Sequence, residues 1–272
     1  MILQDLLTHL EQLAPLALAE SWDNVGLLLG DPSSKISKVI TCLTLTPDVA
    51  QEAIETRADL VITHHPILFK PVNRLTTQTS EGAMLLALAK ANVAVYSAHT
   101  AFDSAWDGIN QQLISRLGVL TSRPLKELVA NPKQTSHAHI DEAFIRPVGI
   151  GRVGELPTEK TLGDVLSQLN AEFPNTTIGY VGDPSRTVKT IGVGCGSAAQ
   201  FMDLAEVDLF ITGEARFHDC LKARSQNIGL VLLGHYTSER FAMEQLAEQL
   251  GNRFSDLTCW PSRIESDPLQ WI

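Results

Sequence analysis

Leucines at positions 3, 6, 7, 10 and 13 recur at the spacing of one helical face and predict an amphipathic first helix. The segment SWDNVGLLLGDP (21–32) follows and ends in a turn. KVITCLTLT (38–46) is β-branched and apolar, the pattern of a strand, and Pro47-Asp48 then opens a helix through Arg57. DLVIT (59–63) reads as a buried strand, 81–91 as an Ala/Leu-rich helix, and VAVYSAH (93–99) as another strand. A helix over 109–117 stops at Gly118. From 121 to 150 the periodicity weakens. It returns as a helix over 162–173, the strand TIGVGCG (190–196), a helix over 198–205, and the strands DLFIT (208–212) and GLVLLGH (229–235). A last helix over 239–250 is expected to stop at Gly251, before an irregular tail with Pro261 and Pro268.

Alternating strands and helices predict an α/β fold with largely parallel sheets, whose ligands sit beyond the carboxyl ends of the strands. The pattern also repeats. An offset of 149 sets Ala50–Thr63 on Ala199–Thr212 with six of fourteen residues identical. An offset of 136 sets His99 on His235 and Asp103 on Glu239. The expectation is two similar α/β halves made by internal duplication, 1–125 and 156–272, joined by a connector at 126–155, with a metal site between the halves.

Composition narrows this further. The chain has 272 residues with a formal net charge of −10 and no basic cluster, which argues against a long nucleic-acid partner. Four scattered cysteines without a C-x-x-C pair suggest neither a zinc-thiolate knot nor a disulfide framework. The N-terminus lacks the basic region of a signal peptide, and no apolar run approaches the roughly 20 residues that span a bilayer. A cytoplasmic protein is expected, with no membrane partner.

The histidines carry the chemistry. His64-His65 ends an apolar strand just before Pro66, and the pairs His99/Asp103 and His235/Glu239 each place a histidine four residues before a carboxylate. If a helix starts there, each pair shares a face. One such pair is unremarkable, but two at matching positions beside His64-His65 point to metal. His64, His65, Asp103, His235 and Glu239 make five ligands, with His99 in reserve. That set suits two ions about 3.5–4 Å apart. Mixed imidazole and carboxylate favours two divalent transition-metal ions per chain, drawn from Zn, Mn, Fe, Co or Ni, and hydrolytic chemistry.

THHPILF, HTAFD, WDNVGLLLGD, FITGE and GHYTSE resemble, in order and over nearly the whole chain, the Nif-three-like family of GTP cyclohydrolase I type 2 homologues. The resemblance implies a dinuclear metal protein, assembled as a toroidal homohexamer, with two similar α/β halves per subunit. Carried over by motif, its ligands fall on His64, His65, Asp103, His235 and Glu239, with Glu239 bridging. The connector is too short for the extra domain that some relatives insert.

His99 is not among that family's usual ligands and reads as support for the ligands or as a proton carrier. Glu214, at the repeat position of His65, and His218 just beyond it are weaker candidates to face the site. Trp22, within the motif residues Trp22, Asp23 and Asn24, reads as a buried packing anchor. GVGCGSA (192–198) fits either a phosphate cradle or close packing, Cys195 reads as a small packed residue, and His137 and His139 of the connector have no expected role. The resemblance implies opening of the GTP imidazole ring by attack of metal-bound hydroxide at C8, with release of formate. Two alternatives remain. One is a phosphoesterase on a small nucleotide, and the other a metal-stabilised interaction or regulatory protein.

Overall fold

The computed structural model describes residues 1–128 and 146–270. Its elements, in chain order, begin with α1 (Leu3–Leu13), β1 (Gly26–Leu29), β2 (Lys38–Thr44), α2 (Pro47–Thr56), β3 (Leu60–His65), α3 (Ser80–Lys90) and β4 (Ala94–Ser97). They continue with α4 (His99–Ser104), α5 (Ile109–Arg116), β5 (Ser122–Arg123), β6 (Lys126–Glu127), β7 (Gly149–Ile150) and β8 (Arg152–Thr161). Next come α6 (Leu162–Glu172), β9 (Gly179–Val181), β10 (Thr187–Gly194) and β11 (Leu209–Thr212). The series closes with α7 (Phe217–Ser225), β12 (Gly229–Leu232), α8 (His235–Arg253) and β13 (Thr258–Pro261).

The chain folds as two compact units. One comprises Met1–Phe102 and Arg240–Pro268, and the other is built on Asp103–Glu239. These are not the consecutive stretches 1–125 and 156–272 drawn from the sequence pattern. The C-terminal residues join the first unit because β13 pairs in parallel with β2. Residues 152–155 of the expected connector are strand β8 of the second unit. Residues 126–127 and 149–150 of the connector are β6 and β7, and 129–145, with His137 and His139, lie outside the described residues.

In the first unit the sheet order is β1-β4-β3-β2-β13, parallel apart from β1. Buried on both faces, its strands need no polar alternation. Val49, Ala50 and Ala53 of α2 and Met84, Leu85 and Leu88 of α3 pack with Ile40, Cys42, Val61 and Val95. Ile62 and Tyr96, which alternate with Val61 and Val95, face Leu10 of α1 and Met243 and Leu246 of α8. The Thr46 hydroxyl caps α2 by accepting from Val49 N, and Arg57 ends it in the left-handed conformation (φ +55°).

In the second unit the sheet order is β5-β8-β10-β11-β12-β9. The strands β10, β11 and β12 are parallel, with antiparallel β8 and β9 beside them. Its core holds Leu125, Val153, Met202, Phe210, Ala223 and Leu230. A reciprocal Thr161/Asp164 capping box starts α6.

Several boundaries differ from the sequence pattern. Residues 199–204 form a 3₁₀ helix, not an α-helix. Helix α8 begins at His235, four residues early, because Gly234 turns the chain directly off the strand at φ +83°. It also runs through Gly251, whose position needs no left-handed backbone, so the glycine weakens the helix without stopping it. The tail contains β13, and Pro261 is tolerated there because β13 is an edge strand. Among the described residues no helix is long and apolar enough to cross a membrane.

Candidate metal centre

Three histidines meet at the carboxyl end of the first sheet. β3 runs through His64 and His65 rather than stopping at Thr63, so these are its last two residues. Consecutive strand residues should point to opposite faces. At this strand end the two rings instead approach to 5.2 Å between centroids, tilted by 52°. His99 opens α4 with φ +30°, a backbone conformation that L residues seldom adopt. Ligand nitrogens of His64, His65 and His99 lie within 4.8 Å of one another, close enough to hold one ion together.

Neighbours fix which nitrogen faces inward. β2 and β3 pair in parallel, which sets Thr44 opposite His65 and its hydroxyl 2.7 Å from His65 Nδ1. The Asp23 carboxylate is buried and lies 2.8 Å from His99 Nδ1. It also accepts from the backbone N–H and the hydroxyl of Thr100. Burial pushes this carboxyl up, but the hydrogen bonds of His99 and Thr100 outweigh it and hold Asp23 at about 2. Such a fixed acceptor locks the orientation of a ring and leaves its other nitrogen facing the cluster. The Ser97 hydroxyl donates to the His64 carbonyl at 2.6 Å, tying β4 to the end of β3.

The second unit presents its own set. His235 and Glu239 share the first turns of α8, with Nε2 and Oε2 3.1 Å apart. Glu214 Oε1 stands 3.1 Å from His235 Nδ1. Glu239 is buried, and a Cβ on Gly196 would lie 2.1 Å from its Oε1. Gly196 has φ +62°, and its N–H donates to Ser238 Oγ, which in turn donates to the His235 carbonyl. The glycine-rich segment therefore packs strands closely and makes room for a carboxylate. Asp103 is half-buried on α4, and its carbonyl accepts from Asn110 Nδ2. Asn110 Oδ1 accepts in turn from Cys195 N. Burial, with the Glu239 and Asp103 carboxylates nearby, pushes the Cys195 thiol far up, as befits a packed residue and not a nucleophile.

Each unit thus gathers its own predicted residues: His64, His65 and His99 in the first, and His235, Glu239 and Glu214 in the second. His218 is exposed on α7 with its ring against Phe217. Trp22 is not a buried anchor. It is 57% exposed, because Asp23 is the residue of that motif that turns inward. Thr44, Asp23 and Gly196 lie against candidate ligands, and spacing did not reveal them. For Asp23 a signal was present, in a motif whose tryptophan drew the attention.

Protonation follows from the pairing. The Glu239 hydrogen bond raises His235 against its burial, and Glu214 adds to the rise, giving about 9. In metal-free protein the stabilisation from this imidazolium is complete below the ordinary value of about 6.5 and is lost as pH rises through about 9. Metal must displace that proton, so affinity is expected to increase with pH up to the same point. Histidine NMR of metal-free protein checks this. His235 should titrate near 9 and fall towards about 6.5 in Glu239→Gln. A wild-type midpoint already near the ordinary value would refute the pairing.

Comparison with known proteins gives the family. The family model Duf34/NIF3 (NGG1p interacting factor 3) matches residues 1–268. The chain is 32% identical over 276 residues to the GTP cyclohydrolase 1 type 2 homolog of Clostridium perfringens, with both chains fully covered. It is 31% identical over 268 residues to NIF3-like protein 1 of Drosophila melanogaster, covering 96% of this chain and 86% of the relative. A Staphylococcus aureus protein of known structure superimposes with a TM-score of 0.84 at 26% identity, covering all of this chain and 99% of its own. A Bacillus cereus protein related to NIF3 gives a TM-score of 0.86 over 100% and 99% of the two chains, and at 20% identity it speaks for the fold alone. Motifs, fold and full-length similarity converge, and the chain belongs to the Duf34/NIF3 family.

Proposed function

We propose that the chain is a metal-dependent hydrolase of a purine nucleotide, with opening of the GTP imidazole ring and release of formate as its concrete reaction. The observation that carries this reading is the cluster of three imidazoles whose ligand nitrogens lie within 4.8 Å at the carboxyl ends of parallel strands. Imidazole nitrogens with buried or half-buried carboxylates suit divalent transition ions better than Mg or Ca. In this reading His64, His65, Asp103, His235 and Glu239 hold two such ions, Zn, Mn, Fe, Co or Ni. When bound, the ions supply Lewis acidity that activates water and stabilises developing negative charge.

The chain's own residues prepare that chemistry. Thr44 orients His65, and Asp23 holds the His99 ring by Nδ1. His99 is then placed to carry a proton between substrate and solvent while Asp23 stabilises its cationic form. The name GTP cyclohydrolase 1 type 2 homolog, borne by relatives at 32% and 34% identity, supports the choice of substrate. A cytoplasmic homohexamer completes the proposal.

The test is formate release from GTP by protein reconstituted with each of the five metals, with bound metal counted and Glu239→Ala alongside. Turnover that disappears in Glu239→Ala supports the reading. Two bound ions without turnover would overturn GTP opening, and hydrolysis of a generic phosphodiester by the same protein would select a phosphoesterase. Fewer than one ion per chain would defeat the dinuclear centre. Sedimentation of the same samples tests the hexamer.

A further inference from the structure

Beside the histidine cluster the first unit exposes two large aromatic rings. Trp22 is 57% exposed and Phe69 45% exposed, and their centroids stand 5.8 Å apart, edge to face. Each also lies near His99, at 6.2 Å and 6.4 Å between centroids. The arrangement is held in place. Asn24 Nδ2 donates to the Leu68 carbonyl at 2.8 Å, which ties the residue two after Trp22 to the residue just before Phe69. Leu68 itself takes φ +54°, and its N–H donates to Glu81 Oε1, fixing the turn to α3.

The loop that carries Phe69 is locally basic. The chain carries a formal net charge of −10, yet residues 66–80 contain Lys70 and Arg74 and no acid. Both cations are exposed, in the loop that presents Phe69. Exposed aromatic faces bind planar bases by stacking whatever the base, and neighbouring cations bind phosphate. Neither a metal ion nor a packed core requires two aromatics facing water here.

We propose that the exposed Trp22 ring stacks on the base of a nucleotide while Phe69, edge-on to it, packs against the rim of that base, the two forming one platform, and that Lys70 and Arg74 bind its phosphates. The proposal rests on the hydrolase reading for the choice of a purine, and it names the residues that would bring the base beside His99. Base and phosphate are recognised by different side chains, so the two contributions separate experimentally.

The experiment is calorimetric titration of the full-length, metal-loaded protein with GTP and with inorganic triphosphate, which lacks a base. Trp22→Ala and Phe69→Ala should each weaken GTP binding roughly tenfold, within the range that stacking supplies. Both should leave triphosphate binding and metal content unchanged. Lys70→Ser with Arg74→Ser should weaken both ligands. GTP should also quench wild-type tryptophan fluorescence, with the quench absent in Trp22→Phe. Wild-type affinity for GTP in both alanine variants, or no GTP binding by wild type, would overturn the platform. Unchanged GTP affinity together with a lower sedimentation mass in those variants would overturn it too, assigning the surface to contact between copies. Stacking-dependent GTP binding without formate release would keep the platform and reject the hydrolase.

Discussion

Gly196→Ala protein is expected to bind metal about 10–100-fold more weakly than wild type, and to lose the proposed formate release with it, although the substitution adds one methyl group and removes no ligand. The magnitude is that of disturbing a residue which positions a ligand. The added Cβ would stand 2.1 Å from Glu239 Oε1 and 3.2 Å from His235 Nε2, so both proposed ligands must move. The backbone at φ +62° adds about 1–2 kcal/mol of strain for any L side chain. Glu239 cannot simply swing aside, because it is buried and lies one residue after Ser238, which is bonded to Gly196 N. Metal titration against a chromophoric chelator measures the loss. If the effect passes through the carboxylate, the Gly196→Ala/Glu239→Ala double variant should be no worse than Glu239→Ala alone. Two ions at wild-type affinity in Gly196→Ala would sink this account.

That glycine also shows what a sequence can and cannot disclose. His64-His65, His99/Asp103 and His235/Glu239 stood out as candidates because ligand type and helical spacing leave a mark in one dimension, and the structure groups His64 and His65 with His99. Most strands were legible too, since β-branched runs such as KVITCLT have few alternative fates. The glycines of 192–196 left two readings open, because a close approach to Glu239 involves residues some forty positions apart. Thr44 was invisible for a similar reason, since only the parallel pairing of β2 with β3 brings it to His65. The C-terminal strand was missed because Thr258–Pro261 is short and ends in proline, and only its place at the sheet edge makes that tolerable. Helix α7 was missed because its sequence, FHDCLKARS, buries Ala223 alone and so lacks a clear apolar stripe.

Arg152 is the other position where a single change should cost most, this time in stability. Its side chain is fully buried, and among the described residues its guanidinium donates mainly to backbone carbonyls. The guanidinium donates from Nη1 to the Gly149 and Gly151 carbonyls at 2.8 Å and 2.7 Å, and from Nη2 to the Ala105 carbonyl at 2.5 Å. Nε reaches Gln111 Oε1 at 3.2 Å. Burial pulls this group down to about 10, which still leaves a cation at neutral pH. The carbonyl fork therefore offsets the desolvation, and the carbonyls in turn have this donor. Arg152→Met keeps the apolar volume and leaves those carbonyls buried without it. Each buried acceptor left without its donor costs about 1–3 kcal/mol, and several lose it together, so we expect a total near ~4 kcal/mol. Because Ala105 follows directly on α4, the loss should also loosen the helix that carries Asp103. Arg152→Lys should recover only part of the stability, since an ammonium cannot reproduce the planar fork. Thermal unfolding should show Arg152→Met melting roughly 10 °C below wild type, with Arg152→Lys between them. An Arg152→Met midpoint within a degree or two of wild type would mean that the carbonyls find other donors and that the guanidinium is not what holds this part of the second unit.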